Sequence, residues 1–161
     1  MMAHYGKFDG VNNYIALVGE KSKSDESLGY YGEQIVLKAQ ELGLNTCWVA
    51  MTHGKSKAQI DKGEKLVCLI SLGYGKTAGA AHKSKRLSEV CNYKKDMPEW
   101  FLSGMEAALL APTAMNRQKF YFELLPDNSI KITCGKGLYT KLDLGIVKYH
   151  FEVVSGKVNW R

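Results

Sequence analysis

An α+β fold, with helices packed on a largely antiparallel sheet, is what the sequence predicts, and three observations predict it. Short apolar runs of strand length alternate with segments whose apolar residues recur at helical spacing. Two period-two segments flank Pro126-Asp127-Asn128, which supplies the turn chemistry of an antiparallel hairpin. At 161 residues, 45% hydrophobic and 24% charged, the chain has globular composition and the length of a single domain, enough to hide about two-thirds of its unfolded surface. Mixed strands and helices with a hairpin belong to the α+β class.

Each element has its own justification. Residues 14–18, Tyr-Ile-Ala-Leu-Val, read as a fully buried strand. Residues 20–27 are rich in Ser, Lys and Asp and read as a loop. Leu28, Tyr31, Ile35, Ala39 and Leu42 then form a stripe at helical spacing, and Gly43 falls where a left-handed C-cap belongs. Residues 44–50 read as extended, and 66–72 as a second buried strand. A helix starts at Asp96 with Pro98 in its first turn and runs through Trp100, Phe101, Met105, Ala108 and Leu109. Pro112 ends it by disfavouring helical geometry at Ala111. Phe120, Phe122 and Leu124, set against Tyr121 and Glu123, make a strand with one buried face, and residues 130–134 return with period two. A closing helix presents Leu142, Ile146, Tyr149 and Val153 on one face, with Gly156 beyond its end.

Composition limits the functions. The longest apolar run, residues 66–72, is far short of the ~20 residues a membrane-spanning helix needs. No basic segment followed by an apolar stretch and a cleavage site opens the chain, so the expectation is a cytoplasmic protein with no membrane partner. Lys+Arg 22 against Asp+Glu 16 gives +6, which suits an anionic partner such as a nucleotide or a phosphate group. Only Arg86, Arg117 and Arg161 are arginines, and a surface dominated by Lys fits solvation better than nucleic-acid readout. Cys47, Cys68, Cys91 and Cys134 are scattered without Cys-x-x-Cys pairs or histidines at zinc-ligand spacing, which reads as buried reduced thiols and no metal site.

Four stretches could carry chemistry. Gly73-Tyr74-Gly75-Lys76-Thr77 follows a buried strand like the end of a phosphate-binding loop, but the first glycine of that motif would fall at Ile70, and residues 78–81 begin no persuasive helix. A glycine turn leaving a strand is the plainer reading. His82-Lys83-Ser84-Lys85-Arg86 is the densest basic cluster, able to hold a phosphate monoester or to form a solvated loop. Residues 111–118, Ala-Pro-Thr-Ala-Met-Asn-Arg-Gln, present Thr113, Asn116 and Gln118 close together. The Asn and Gln amides suit the edge of a planar heterocycle, or equally the loop's own backbone. Residues 43–50 place Cys47 beside Trp48, where core packing is the better reading than a thiol nucleophile served by His53. His4 and His150 have no acid or nucleophile near them in sequence and read as structural.

Together these stretches resemble the FMN-dependent nitroreductase family. Residues 111–118 are similar to its Pro-Ser-x-x-Asn-x-Gln loop, and the Gly-Leu-Asn-Thr-Cys-Trp-Val of 43–49 to its Gly-Leu-Gly-Thr-Cys-Trp segment. Gly73-Tyr74 leading to Lys83-Ser84-Lys85-Arg86 resembles its Gly-Tyr stretch and phosphate clamp, and residues 143–151 look like the end of one subgroup. The resemblance implies a nitroreductase-like α+β homodimer that passes hydride from NAD(P)H via FMN to a nitroaromatic, a quinone or a similar small-molecule acceptor. Pro112, Thr113, Ala114 and Asn116 would line the flavin ring with Gln118 nearby. Trp48, Val49 and Ala50 would contact another side, and Lys83, Lys85 or Arg86 would hold the phosphate. No side-chain acid or base is assigned. The family's Arg-x-Ser-x-Arg opening has no counterpart before Arg86, so residues 1–161 are expected to form one domain shortened at its N-terminus. The alternatives are a degenerate flavin-binding protein and a basic nucleic-acid binder using residues 83–86 with Tyr74 and Tyr93.

Overall fold

The computed structural model describes residues 11, 13–51, 56–77, 79–156 and 159–161. His4, His53 and Ala78, considered above, lie outside the described residues. The elements run β1 (Asn13–Glu20), α1 (Glu26–Glu41), β2 (Asn45–Val49), β3 (Glu64–Gly73), α2 (Leu87–Val90), α3 (Glu99–Leu110), β4 (Phe120–Leu124), β5 (Ile130–Cys134) and α4 (Thr140–Ser155). They form two compact units, one from described residues up to 24 and 34–80, the other from 25–33 and 81–161. The antiparallel strands are divided between the units as two sheets.

In the first unit β3 lies between β1 and β2, antiparallel to both. Its central position explains its continuous apolar run, because both faces and both edges are covered and Val67 to Ser71 are buried. The expectation of a fully buried first strand is corrected: among the β1 residues only Leu17 is buried, and Tyr14 is 39% exposed. Among the described residues β1 pairs on one side only. The Tyr14 hydroxyl accepts the Lys57 N–H at 2.9 Å, tying a surface loop to the strand.

The second unit is built around a hairpin. β4 and β5 pair from Phe120–Cys134 to Leu124–Ile130, as the period-two pattern predicts. Both edges of the hairpin are occupied. On the β4 side Cys91 bridges Phe122, and the Asn92 amide donates to the Leu124 carbonyl and accepts the Leu124 N–H, both at 3.0 Å. On the β5 side residues 159–161 run alongside Ile130, with hydrogen bonds of 2.8 Å from Ile130 N–H to Asn159 and from Arg161 N–H back to Ile130. The core against this sheet is aromatic: Phe122 stacks on Phe151 at 5.2 Å, and Phe101 meets Phe151 edge-on. Gly104 of α3 lies beneath that ring, where a Cβ would come within 2.6 Å of it. α3 begins at Glu99, three residues later than expected, with Pro98 at its N-cap, and Ala111 before Pro112 is extended as predicted.

The two amphipathic helices turn different faces inward than their apolar stripes suggest. On α1 the buried residues are Gly29, Gly32, Glu33 and Ala39, while Tyr31, Ile35 and Leu42 are exposed. On α4 Leu142 and Ile146 are buried as expected, but Val153 is exposed and Phe151 takes the core position. The reason is close approach. A Cβ on Gly29 would lie 1.9 Å from the Leu142 carbonyl oxygen, and one on Gly145 would lie 1.8 Å from the Glu26 carbonyl oxygen. Backbone meets backbone at this crossing, so the small residues, not the large ones, decide which faces meet. Polar pairs then lock it: His150 Nε2 donates to Glu33 at 2.8 Å with Glu33 only 1% exposed, and Lys148 bonds Glu26 at 2.5 Å. Glu152 accepts from both the Tyr30 hydroxyl and the Trp160 indole, and its carboxylate pushes the Tyr30 phenol up to about 12. The glycine caps at Gly43 and Gly156 adopt left-handed φ values of 77° and 60°, as the sequence predicts. No helix of the described residues is long and apolar enough to cross a membrane.

Replacing either crossing glycine by alanine forces the helices apart. Gly145→Ala is expected to lose about 2–4 kcal/mol in urea unfolding. The same substitution at Gly79, where a Cβ meets none of the described residues within 4 Å, is expected to change stability by less than about 1 kcal/mol.

Candidate functional site

The chain between α3 and β4 does not take an ordinary course. After extended Ala111 and Thr113, a single 3-10 turn at Ala114–Asn116 leads into left-handed backbone, with φ of 55° at Met115, 51° at Asn116 and 46° at Gln118. Asn tolerates that region, whereas Met and Gln rarely enter it, at roughly 1–2 kcal/mol per residue. Such a course persists only where surrounding bonds over-determine it. Inside the loop, Asn116 N–H donates to the Thr113 carbonyl at 2.8 Å, and Gln118 N–H donates to Thr113 Oγ1 at 3.0 Å.

The second set of bonds comes from the basic segment. Gln118 is 2% exposed, and its amide is fully engaged. Oε1 accepts the Lys85 N–H at 2.8 Å, while Nε2 donates to the Lys83 carbonyl at 2.8 Å and to Asn116 Oδ1 at 2.7 Å. Asn116 Nδ2 donates to the same Lys83 carbonyl at 3.0 Å, and Lys85 Nζ reaches the Gln118 carbonyl at 3.0 Å. His82 Nε2 and the Ser84 hydroxyl both donate to the Leu109 carbonyl, an acceptor that the last turn of α3 leaves open. Two stretches that the sequence marks separately, 82–86 and 111–118, are therefore one structure.

A third anchor comes from α4. Asp143, 7% exposed, accepts the Ala114 N–H on Oδ1 at 3.0 Å. Burial raises its carboxyl from 3.8 to about 6, and the Ala114 N–H offsets only part of that. Sequence reasoning missed this residue because an acid in a helix's first turn looks like a partner for the helix dipole. The available signal was its setting, a lone carboxylate between Leu142 and Leu144 in an apolar run.

The groups that stay accessible define what the site can bind. Asn116 is exposed, and each end of its amide makes one hydrogen bond while having capacity for a second, leaving a donor and an acceptor side by side. Pro112, Thr113 and Ala114 are half-buried beside it. Among the cations, Lys85 is committed to the loop, Lys83 is exposed, and Arg86 is 85% exposed, pairing with Glu89 at 3.2 Å. A flat heterocycle with alternating N–H and C=O groups and an anionic tail matches this donor set.

Trp48, Val49 and Ala50 belong to the first unit. Val49 is buried at the end of β2, and Trp48 is half-buried opposite Ile70 of β3. Burial pushes the Cys47 thiol up, which suits packing and not nucleophilic attack. The glycine turn after β3 is held by Asn45, which accepts the Gly75 N–H at 2.9 Å and donates to the Thr77 carbonyl at 3.2 Å. Such a turn is clipped to its own sheet.

A family model described as "Putative TM nitroreductase" matches residues 1–155. A crystal structure of a "putative nitroreductase" from Thermotoga maritima is similar at 26% identity and a TM-score of 0.72, over 88% of this chain and 59% of that one. The chain thus spans about three-fifths of the length of that relative. No functionally curated protein matches it.

Two measurements check the anchors. Gln118→Leu strands the half-buried Lys85 N–H, removes one of the two donors to the Lys83 carbonyl and is expected to lose about 2 kcal/mol in urea unfolding. For Asp143, the folded chain holds its proton more tightly than the unfolded one, so its contribution to stability falls as pH rises from about 4 to about 6. Asp143→Asn keeps an acceptor without the buried charge. The stability of this variant relative to wild type is therefore expected to grow across that window and level off above it, and a flat or opposite trend would contradict the burial.

Proposed function

The chain belongs to the TM nitroreductase family, and from that membership we propose that it is an FMN-dependent oxidoreductase that takes electrons from NAD(P)H and delivers them to a nitroaromatic, a quinone or a similar small acceptor. The observation that carries this reading is the convergence of the basic segment 83–86 with the loop 112–118 around the Gln118 amide. Bound flavin would supply the hydride chemistry, and the protein's part is to hold and orient it. Pro112, Thr113 and Ala114 offer a half-buried ledge for the ring, and Asn116 offers its second donor and acceptor to the ring edge. Gln118 acts from behind, keeping the ledge in shape. Because Lys85 is bound to the loop, Lys83 and Arg86 are the cations assigned to the phosphate; Arg86 would exchange a surface carboxylate partner for it. The assignment of Trp48, Val49 and Ala50 to the same cofactor rests on the Thr-Cys-Trp motif alone. The same reading takes the chain as one nitroreductase-like domain working as a cytoplasmic homodimer.

The visible spectrum of the protein with added FMN tests this directly. A bound-flavin band that bleaches anaerobically with NADH or NADPH is expected. A stable yellow complex inert to both would favour the flavin-holding alternative, and a colourless protein with salt-sensitive retention on immobilised nucleic acid the basic binder. Asn116→Ala is expected to lower FMN content roughly tenfold, as losing one or two hydrogen bonds to a ligand does. Asn128→Ala, in the hairpin turn, is expected to leave it near wild type, and equal retention in both variants would contradict the loop assignment.

A further inference from the structure

The loop 112–118 is held from two directions. Residues 83–85 grip its far end through Gln118 and Asn116, where the bonds are numerous and partly redundant, since the Lys83 carbonyl accepts from both amides. Its near end has a different arrangement. Among the described residues, Asp143 is the side chain from outside these two segments that bonds the loop, and it does so at Ala114 N–H, one residue before the left-handed stretch begins. The Ala114 N–H belongs to the peptide between Thr113 and Ala114, so holding it fixes the backbone immediately ahead of Met115 and with it where the turn starts. Without that bond the left-handed residues lose the constraint on one side, and their strain favours relaxation to right-handed or extended backbone.

Asp143 itself is firmly placed. It lies one turn into α4 between Leu142 and Gly145, the two residues whose backbones meet α1, and its own N–H donates to the Tyr139 carbonyl at 2.8 Å. The shift of its carboxyl is accounted for by burial and the Ala114 N–H, with no charged side chain contributing. A carboxylate in this place is an expensive acceptor for a single backbone donor, which marks the bond as a positioning device more than a stabilising one.

We infer that Asp143 is a positioning residue of the candidate flavin site: from the rigid α4 it fixes the Ala114 amide and so sets the left-handed course of Met115 and Asn116 on which the ring-facing groups depend. The flavin part of this inference rests on the function proposed above, whereas control of the loop does not.

Trypsin reads the loop without any ligand, because Arg117 is exposed within it. In flavin-free protein, Asp143→Ala is expected to speed cleavage after Arg117 at least tenfold, with cleavage after Lys131 in β5 and Lys141 in α4 unchanged. Asp143→Asn, which keeps the acceptor, is expected to restore wild-type cleavage. In parallel, FMN affinity measured by quenching of flavin fluorescence is expected to fall about tenfold in Asp143→Ala and to recover in Asp143→Asn. Cleavage after Arg117 at the wild-type rate in Asp143→Ala would overturn the inference. So would equal acceleration at all three sites, which marks general unfolding, or failure of Asn to rescue. If wild-type protein does not quench FMN, the flavin reading fails and the cleavage pattern alone decides the role of Asp143.

Discussion

One buried primary amide determines how the candidate site is organised. Gln118 is almost wholly removed from water, and every polar atom of its side chain is engaged with a segment more than thirty residues earlier or with its own loop. An amide suits this place because it donates and accepts in one plane, which lets it close a ladder with the backbone of Lys83 and Lys85 much as a strand would. A charged side chain in the same position would bury an uncompensated ion, and an apolar one would leave the Lys85 N–H unpaired and the Lys83 carbonyl with one donor where it has two. The basic segment therefore does not drift as a solvated loop. It is fixed against the loop whose exposed face carries Asn116, and cation and amide are presented together.

The energetics of the loop follow from this. Left-handed Met115, Asn116 and Gln118 together store roughly 3–5 kcal/mol of backbone strain. Against it stand the Thr113 hydroxyl, the Thr113 carbonyl, the two amides and Asp143, each adding about 1 kcal/mol net and more where the partner group would otherwise be buried alone. Strain and restraint are close to balance. A nearly balanced segment holds one shape yet responds when a single anchor changes, which is the condition under which a ligand-facing loop can be both ordered and tuned.

Much of this was legible in the sequence, and what was not has identifiable causes. Strand β3, the hairpin, the end of α3 at Pro112 and the glycine caps were readable because each follows from local chemistry: a continuous apolar run, turn residues, a proline ring that clashes with a helical residue before it, a left-handed φ. The buried faces of α1 and α4 were not, since the residues that meet there are glycines, which carry no hydrophobic signal, and Glu33, which looks solvent-facing until His150 is placed beside it. In the site, the two chemistry-bearing stretches could be recognised singly, but not that Gln118 and Lys85 would be used to hold them together. Long-range hydrogen bonds leave no period in a sequence. Asp143 was hidden for the same reason.

Helix α4 connects these separate facts. At its first turn Asp143 fixes the loop; at its second, Gly145 admits the backbone of α1; at its last turns His150 and Glu152 hold polar partners, and Phe151 fills the aromatic core. A helix restrained at so many points can hold a strained neighbour in place, because a displacement at any one of them disturbs close packing at the others. This is why a buried carboxylate, a poor stabiliser by itself, can still be an accurate anchor: its position is fixed by contacts that do not involve its charge. The loop's geometry is thus set from two sides by elements that differ in kind, a hydrogen-bonded ladder through Gln118 and a close-packed helix through Asp143. The exposed face is left with Asn116 and the cations that neither anchor uses, the groups assigned to the proposed flavin.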